Sequence, residues 1–325
     1  NKFKNIIVIG IGGSILGTES IYSFLKKKIK KNFIFIDNLD PALISKYKKI
    51  KNIKNSCFVV VSKSGNTLET ITNLGVIFSK KNLKKRLVII TENSNNPLMI
   101  IAKRYEAEII EHKKFIGGRF SVLSETSMFP ASLMGLNLSK FKDLKQLINN
   151  KIFASTLIQN VAAMYTLNLK GIKNSIILNY DSSLTDLGYW YQQLVAESLG
   201  KKGKGINPML SFGPKDHHSL LQLYLDGPRD KFFTFFNLEK KIKGNHDFKN
   251  LKKIINAQSK ALKKVFKLKK IPFRYINFKK MNENELGEIL TFFVLETILL
   301  SRMMGINAFD QPAVEQVKTE TKKIL

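Results

Sequence analysis

Cysteine is almost absent: Cys57 is the single one in 325 residues. An internal disulfide is thereby excluded, which fits a reducing compartment, and a cytoplasmic location is expected. No apolar run approaches the ~18 residues that a membrane helix needs, and no basic-then-apolar leader precedes the first strand. A globular chain with neither membrane span nor export signal is expected. Arginine is scarce too, with six (Arg86, Arg104, Arg119, Arg229, Arg274, Arg302) among 54 basic residues set against 25 acidic ones. The resulting net charge of +29 has the sign of a nucleic-acid binder. Base readers lean on arginine, however, whereas this excess is lysine spread along the chain beside Asn and Ile. The clusters KKKIKK (26–31), KKNLKKR (80–86) and KKVFKLKK (263–270) fall at polar ends or faces of predicted helices. They read as solvated faces, so neither a specific nucleic acid nor a membrane is expected as partner, although the field can attract anionic metabolites.

What is present is a pattern of β-rich apolar runs alternating with amphipathic stretches. At 325 residues and 44% hydrophobic, the chain exceeds what one core organises and is expected to form two domains. In the first part the runs IIVIG (6–10), FIFID (33–37), CFVVVS (57–62) and RLVIIT (86–91) are separated by predicted helices over about 17–28, 40–49, 67–80 and 97–104. Strands without in-out alternation, joined by helices, imply a parallel sheet covered on both faces. A short strand AEIIEH (107–112) and a Gly-Gly turn leading into a small-residue helix (116–137) follow. The pattern restarts near Leu138 to Leu144. It continues with predicted helices at about 151–169, 184–199, 247–267 and 282–304, strands 175–180, 231–238 and 272–278, and a last helix starting at Pro312. The expected fold class is α/β, as two three-layer α/β/α sandwiches with mostly parallel sheets, the first over 1–140 and the second over 141–325.

Two turns carry chemistry. The first strand ends in GIGGSILG (10–17), which invites a dinucleotide reading with Asp37 at the ribose. The third glycine of that fingerprint is replaced by Ile15, so what remains is a small-residue turn at a helix N-terminus, open to close approach by a ligand. The third strand ends in SKSGNTLET (62–70). Ser62, Ser64 and Thr67 put three hydroxyls in a strand-to-helix turn, Gly65 lets the backbone curl, and Lys63 can add charge. Hydroxyls, free amides and the positive helix end together suit a phosphate monoester. A helix N-cap with polar neighbours is the alternative.

With GGRFS (117–121), QQLVAES (192–198), KDHHSLLQL (215–223) and FDQPAVEQVK (309–318), these motifs stand in an order that resembles the sugar isomerase domain family and, more narrowly, the phosphoglucose isomerase family. The resemblance runs almost end to end. It implies an aldose-ketose isomerase interconverting glucose 6-phosphate and fructose 6-phosphate through a cis-enediol, without metal or cofactor, as a homodimer with shared active sites. By the same resemblance Ser62, Lys63, Ser64 and Thr67 hold the phosphate with Gly13 and Ser14 nearby. Glu197 is the base, with Gln193 beside it; Arg119 stabilises charge; His218 opens the ring; Gln311 and Lys318 contact substrate. Family members carry helical segments before the first glycine turn, and the early start of this chain touches dimer wrapping more than chemistry.

The residues themselves are compatible with these roles. Gln193 and Glu197 are four apart and share a helical face, as an exposed glutamate would also do. A carboxylate over the C1–C2 edge can remove and return one proton. Arg119 in a Gly-Gly-Arg turn is a stiff cation for a developing oxyanion, or an interdomain salt bridge. Imidazole suits ring opening near neutral pH, and adjacent His217 and His218 point in different directions, so one of them reaches the sugar. Two adjacent histidines without a carboxylate at ligand spacing are a poor metal site. Lys318 lies seven residues after Gln311 and can face the same pocket, or simply solvent. The rival functions are a phosphosugar-sensing module without catalysis and an isomerase that also accepts mannose 6-phosphate.

Overall fold

The structure, a computed structural model, describes residues 3–48, 55–78, 86–141, 144–239 and 246–325. The lysine-rich stretch 80–85 and the ends of the helices expected at 40–49 and 67–80 lie outside these residues. The chain divides into two compact units, Asn1–Asp143 with Asn282–Gly287, and Leu144–Met281 with Glu288–Leu325. A single linear boundary at 140/141 cannot express the return of Asn282–Gly287 to the first unit.

The first unit runs β1 (Asn5–Ile9), α1 (Leu16–Leu25), β2 (Asn32–Ile36), α2 (Pro41–Lys48), β3 (Ser56–Val61), α3 (Leu68–Phe78), β4 (Leu87–Thr91), α4 (Pro97–Tyr105), β5 (Glu108–Glu111) and α5 (Glu125–Leu133). All strands pair in parallel, in the order β2-β1-β3-β4-β5, with Ile7 opposite Ile34 on one side and Phe58 on the other. Every residue of β3 and β4 is buried, as a continuous β-branched run in a doubly covered sheet requires, while edge strand β5 is mostly exposed. On one face Ile7, Ile9, Phe58, Val60 and Ile89 pack against Ile44, Leu74, Ile77, Leu98 and Ala102 of α2, α3 and α4. Each such side chain contributes about 1.5–3 kcal/mol when fully buried. On the other face Ile6, Cys57 and Val88 line a hollow of about 570 Å³ with Phe129 and Leu133 of α5. Burial pushes the Cys57 thiol up to about 11, which leaves it an inert packing group.

The second unit runs α6 (Leu144–Asn149), α7 (Lys151–Leu169), β6 (Asn174–Asn179), α8 (Thr185–Leu199), β7 (Asn207–Phe212), α9 (Leu221–Asp226), β8 (Lys231–Leu238), α10 (His246–Leu268), β9 (Phe273–Phe278), α11 (Glu283–Met303) and α12 (Pro312–Ile324). Its sheet is again all parallel, β7-β6-β8-β9, with Ile176 opposite both Met209 and Phe233. One face is aromatic: Phe233 and Phe235 of β8 pack on Phe266 of α10 at ring separations of 4.7 and 5.6 Å. On the other, Phe236 stacks on Phe293 of α11, which lies 4.5 Å from the Tyr191 ring of α8. A buried charge pair sits there as well. Arg274 of β9 grips the Glu296 carboxylate of α11 with both terminal nitrogens and reaches Thr234 and Asn160.

Three elements escape the sequence pattern. β7, NPMLSF, carries a proline and follows a glycine-rich stretch, so no strand is read there. It is an edge strand, where the amide that proline lacks is not needed by a second neighbour. α6 and α9 are six-residue helices, too short to show a period.

Candidate functional site

In the first unit the strand order reverses between β1 and β3, so the turns that follow these strands lie side by side at the carboxyl end of the sheet, where open α/β sheets bind ligands. The turn after β1 is a single 3-10 turn, Gly12–Ser14, opened by Gly12 at φ +57. A side chain on Gly13 would stand 2.3 Å from the Gly118 carbonyl carbon and 2.5 Å from the Arg119 nitrogen. The missing side chain lets this turn touch the backbone of the Gly-Gly-Arg turn. The Ser121 hydroxyl ties the two turns, donating to Gly118 O at 2.7 Å and to Gly13 O at 3.3 Å. Ser14 is half-buried in the same turn.

The turn after β3 is held by its own hydroxyls. Ser62, 1% exposed, lies 2.8 Å from the Thr67 hydroxyl, and Ser64 donates to Asn66 Oδ1 at 2.6 Å. Gly65 sits at φ +65 with Asn96 directly against it: an added Cβ would fall 2.0 Å from the Asn96 Oδ1. Asn96 caps α4 by accepting from the Met99 amide, and Leu98 N–H donates to Gly65 O. Thr67 stands immediately before α3, whose first amides have no partner within the helix. The Lys63 ammonium donates to Lys114 O at 2.8 Å and lies 3.6 Å from Glu92.

Arg119 is 3% exposed, within the 3-10 segment Gly118–Leu123, its guanidinium 5.2 Å from the Phe120 ring. His112, at the end of β5, is buried, contacts Lys113 O through Nδ1 and lies 3.9 Å from Glu125. Burial lowers its pKa, so at neutral pH it is uncharged and that contact is no ion pair.

In the second unit, α8 buries Leu187, Trp190, Tyr191, Leu194 and Val195, which turns Gln193 and Glu197 toward a half-exposed face. Gln193 Nε2 donates to Glu197 Oε2 at 3.0 Å, fixing one carboxylate oxygen. Among the described residues the buried Gln193 Oε1 has no hydrogen-bond partner. His218 stands exposed on the 3-10 turn Lys215–His218 that follows β7. Its neighbour Asp216 accepts from Phe212 N at 2.7 Å, Ser211 Oγ at 2.9 Å and Ser219 Oγ at 3.2 Å. Burial opposes that charge, but these donors outweigh it and hold the carboxyl below its ordinary value.

Gln311 is the residue before α12, with Pro312 at the first helical position. Two lysines from the glycine-rich loop after α8 secure the segment leading to it. Lys204 donates to Met304 O at 2.8 Å, and Lys201 pairs with Asp310 at 2.9 Å and donates to Asn307 O. Lys318 is exposed on α12, a helix that buries none of its residues, and pairs with Glu315 at 2.7 Å. Within this unit Lys318 faces solvent, one of the two placements its spacing from Gln311 allows. Asn96 holds its turn in the first unit, and Asp216 and Lys201 hold theirs in the second; sequence patterning does not single these three out. Asp216 had a readable signal, an acid opening a turn inside KDHHS. Among the described residues no cluster of three or more His, Cys, Asp or Glu could hold a metal ion, and no helix is long and apolar enough to cross a membrane.

Two all-parallel α/β units, the first with a hydroxyl-lined turn after its central strand, define a sugar isomerase fold. A solved structure of a hypothetical protein from Thermus thermophilus superimposes with TM-score 0.87 at 24% identity, covering 99% of this chain and 83% of that one. A glucose-6-phosphate isomerase from Chlamydia trachomatis does so with TM-score 0.82 at 21% identity, over 99% and 70%. Residues 1–212 match the phosphoglucose isomerase family, and the glucose-6-phosphate isomerase of Methanocaldococcus jannaschii is 34% identical over 98% of this chain and 83% of its own. The chain belongs to the phosphoglucose isomerase family.

Proposed function

We propose that the chain interconverts glucose 6-phosphate and fructose 6-phosphate, as a cytoplasmic homodimer and without metal or cofactor. The phosphate is taken by Ser62, Ser64 and Thr67, with Lys63 adding charge and the Gly13–Ser14 turn beside it. His218 opens the ring by moving a proton from the anomeric hydroxyl to the ring oxygen as the ring C–O bond breaks. Glu197 then removes the proton from C2 of the aldose and delivers it to C1, and Arg119 offsets the charge on the enediolate oxygens. Gln193 holds Glu197, and Gln311 and Lys318 contact the sugar. A positioned general base of this kind contributes about 10²–10⁴-fold.

The observation that carries this reading is the Glu197 carboxylate, held by Gln193 at 3.0 Å on a half-exposed helix face, in a chain 34% identical to a glucose-6-phosphate isomerase. A coupled assay with fructose 6-phosphate tests it. Glu197→Gln is expected to abolish interconversion while equilibrium binding of the sugar phosphate survives. Unimpaired turnover in that variant overturns the assignment, and the same assay with mannose 6-phosphate decides the breadth of the substrate range.

A further inference from the structure

The turn that presents His218 is anchored at both preceding residues and open at His218 itself. Asp216 is fixed by its three donors, as described. His217 turns inward, where its Nε2 lies 2.7 Å from the Tyr180 hydroxyl and its ring meets the Tyr180 ring edge-on, 5.7 Å between centroids at 76°. Tyr180 is itself immobile. It lies flat on Phe235, the rings 6.2 Å apart and within 5° of parallel, and Gly213 closes over it so tightly that a side chain there would overlap the ring at 2.4 Å. Gly213 is in turn tied to β6 through its amide on Asn179 O at 2.9 Å. The His218 side chain makes no hydrogen bond among the described residues, and the residue is exposed.

Burial raises the Tyr180 phenol, so its hydroxyl keeps its proton and can donate it to Nε2. Burial, and secondarily the charge of His218, lower His217, which favours the neutral ring; in the tautomer with its proton on Nδ1, Nε2 accepts from Tyr180. The outcome is a rigid post, Phe235–Tyr180–His217, ending one residue short of the imidazole that must reach the sugar. His217 and His218 share one peptide plane in a turn closed by His217 N on Pro214 O and Leu220 N on Asp216 O, so an anchored His217 side chain limits the directions in which the Cα–Cβ bond of His218 can leave the turn.

We propose that His217, through its hydrogen bond to Tyr180, is a positioning residue that aims His218 for ring opening. The inference rests on the role given to His218 above. The affected step exchanges one C–O bond for a carbonyl: the electron pair of the breaking bond goes to the ring oxygen, which takes a proton, and the anomeric hydroxyl gives one up. Proton transfer between C1 and C2 by Glu197 follows and does not involve His217.

Substrates that do and do not need opening separate the steps. 5-Deoxyfructose 6-phosphate lacks the oxygen that closes the furanose ring, and exchange of its C1 hydrogen with solvent deuterium reports the Glu197 step alone. His217→Leu and Tyr180→Phe are each expected to lower kcat/KM for fructose 6-phosphate by roughly tenfold to a hundredfold, as a misaimed group does. Exchange on the deoxy analogue should stay within about twofold of the parent. The double variant should be no worse than the poorer single one, because both break one interaction. His217→Gln, which places an acceptor near the Nε2 position, should recover most of the loss. Equal losses on both substrates, no loss on either, or additive losses in the double variant overturn the proposal. If His218→Ala fails to show the split between substrates, the ring-opening role falls and the positioning role with it. If His218→Ala shows the split and His217→Leu does not, only the positioning role falls.

Discussion

Gly65 shows how one absent side chain shapes the turn after β3. Its φ of +65 costs an L-residue about 1–2 kcal/mol, and the Asn96 amide fills the space a Cβ needs. Gly65→Ala is expected to lower stability by at least that amount and to raise KM for sugar phosphate more than it lowers kcat, checked by chemical denaturation and steady-state kinetics. His112 makes a second prediction. Its folded pKa lies below the ordinary value of about 6.5 because of burial. Above that pH both folded and unfolded forms are neutral and the full stability is present. Below it the unfolded chain takes up a proton that the folded chain refuses, so stability falls as pH drops. Thermal midpoints should decline on the acid side of pH 6.5, and His112→Asn should flatten the decline; an unchanged slope removes His112 from the account. At this scale the hydroxyls of SKSGNT were legible because their chemistry is local. The partners of Lys63 were not, since Lys114 and Glu92 lie on other elements and reach it only through the sheet.

At the scale of elements, β1, β3, β4 and β8 were readable as unbroken apolar runs, and the helix of Gln193 and Glu197 as a period with one buried stripe. β7 was not, because proline and glycine outweigh its apolar residues until one knows that it lies at an edge. Neither were the tertiary ties between elements. The Arg274–Glu296 pair is invisible in a linear pattern yet joins β9 to α11, with Arg274 12% and Glu296 1% exposed as side chains. Burial works against the Arg274 charge, and the adjacent carboxylate outweighs it. Glu296→Gln should cost about 3–5 kcal/mol, since it leaves a buried cation alone. Replacing both partners, Arg274→Met with Glu296→Leu, should recover much of that loss in the same urea titration. A double replacement as unstable as the single one would show that packing, not charge, holds the helix.

Across the whole molecule the +29 charge was plain from composition, and so was its diffuse lysine character. Self-repulsion among like charges opposes the compact state and is screened by salt, with a Debye length of about 10 Å at 0.1 M. The thermal midpoint should therefore rise as sodium chloride is raised from about 50 to about 300 mM; a flat response would mean that the lysines are locally compensated. The doubly wound pattern was legible twice over because periodicity is a property of segments. The membership of Asn282–Gly287 was not, because it depends on where a distant helix begins. Glu283, 5% exposed, takes the Lys28 ammonium at 2.5 Å, and a side chain on Gly287 would strike the Phe141 backbone at 2.5 Å. A gene cut after Asp143 would thus yield an amino-terminal half with a gap in its wall and an unanswered lysine. Only a peptide carrying that distant hexamer, supplied in trans, could fill both, which makes dissection by simple truncation the wrong route to an autonomous fragment.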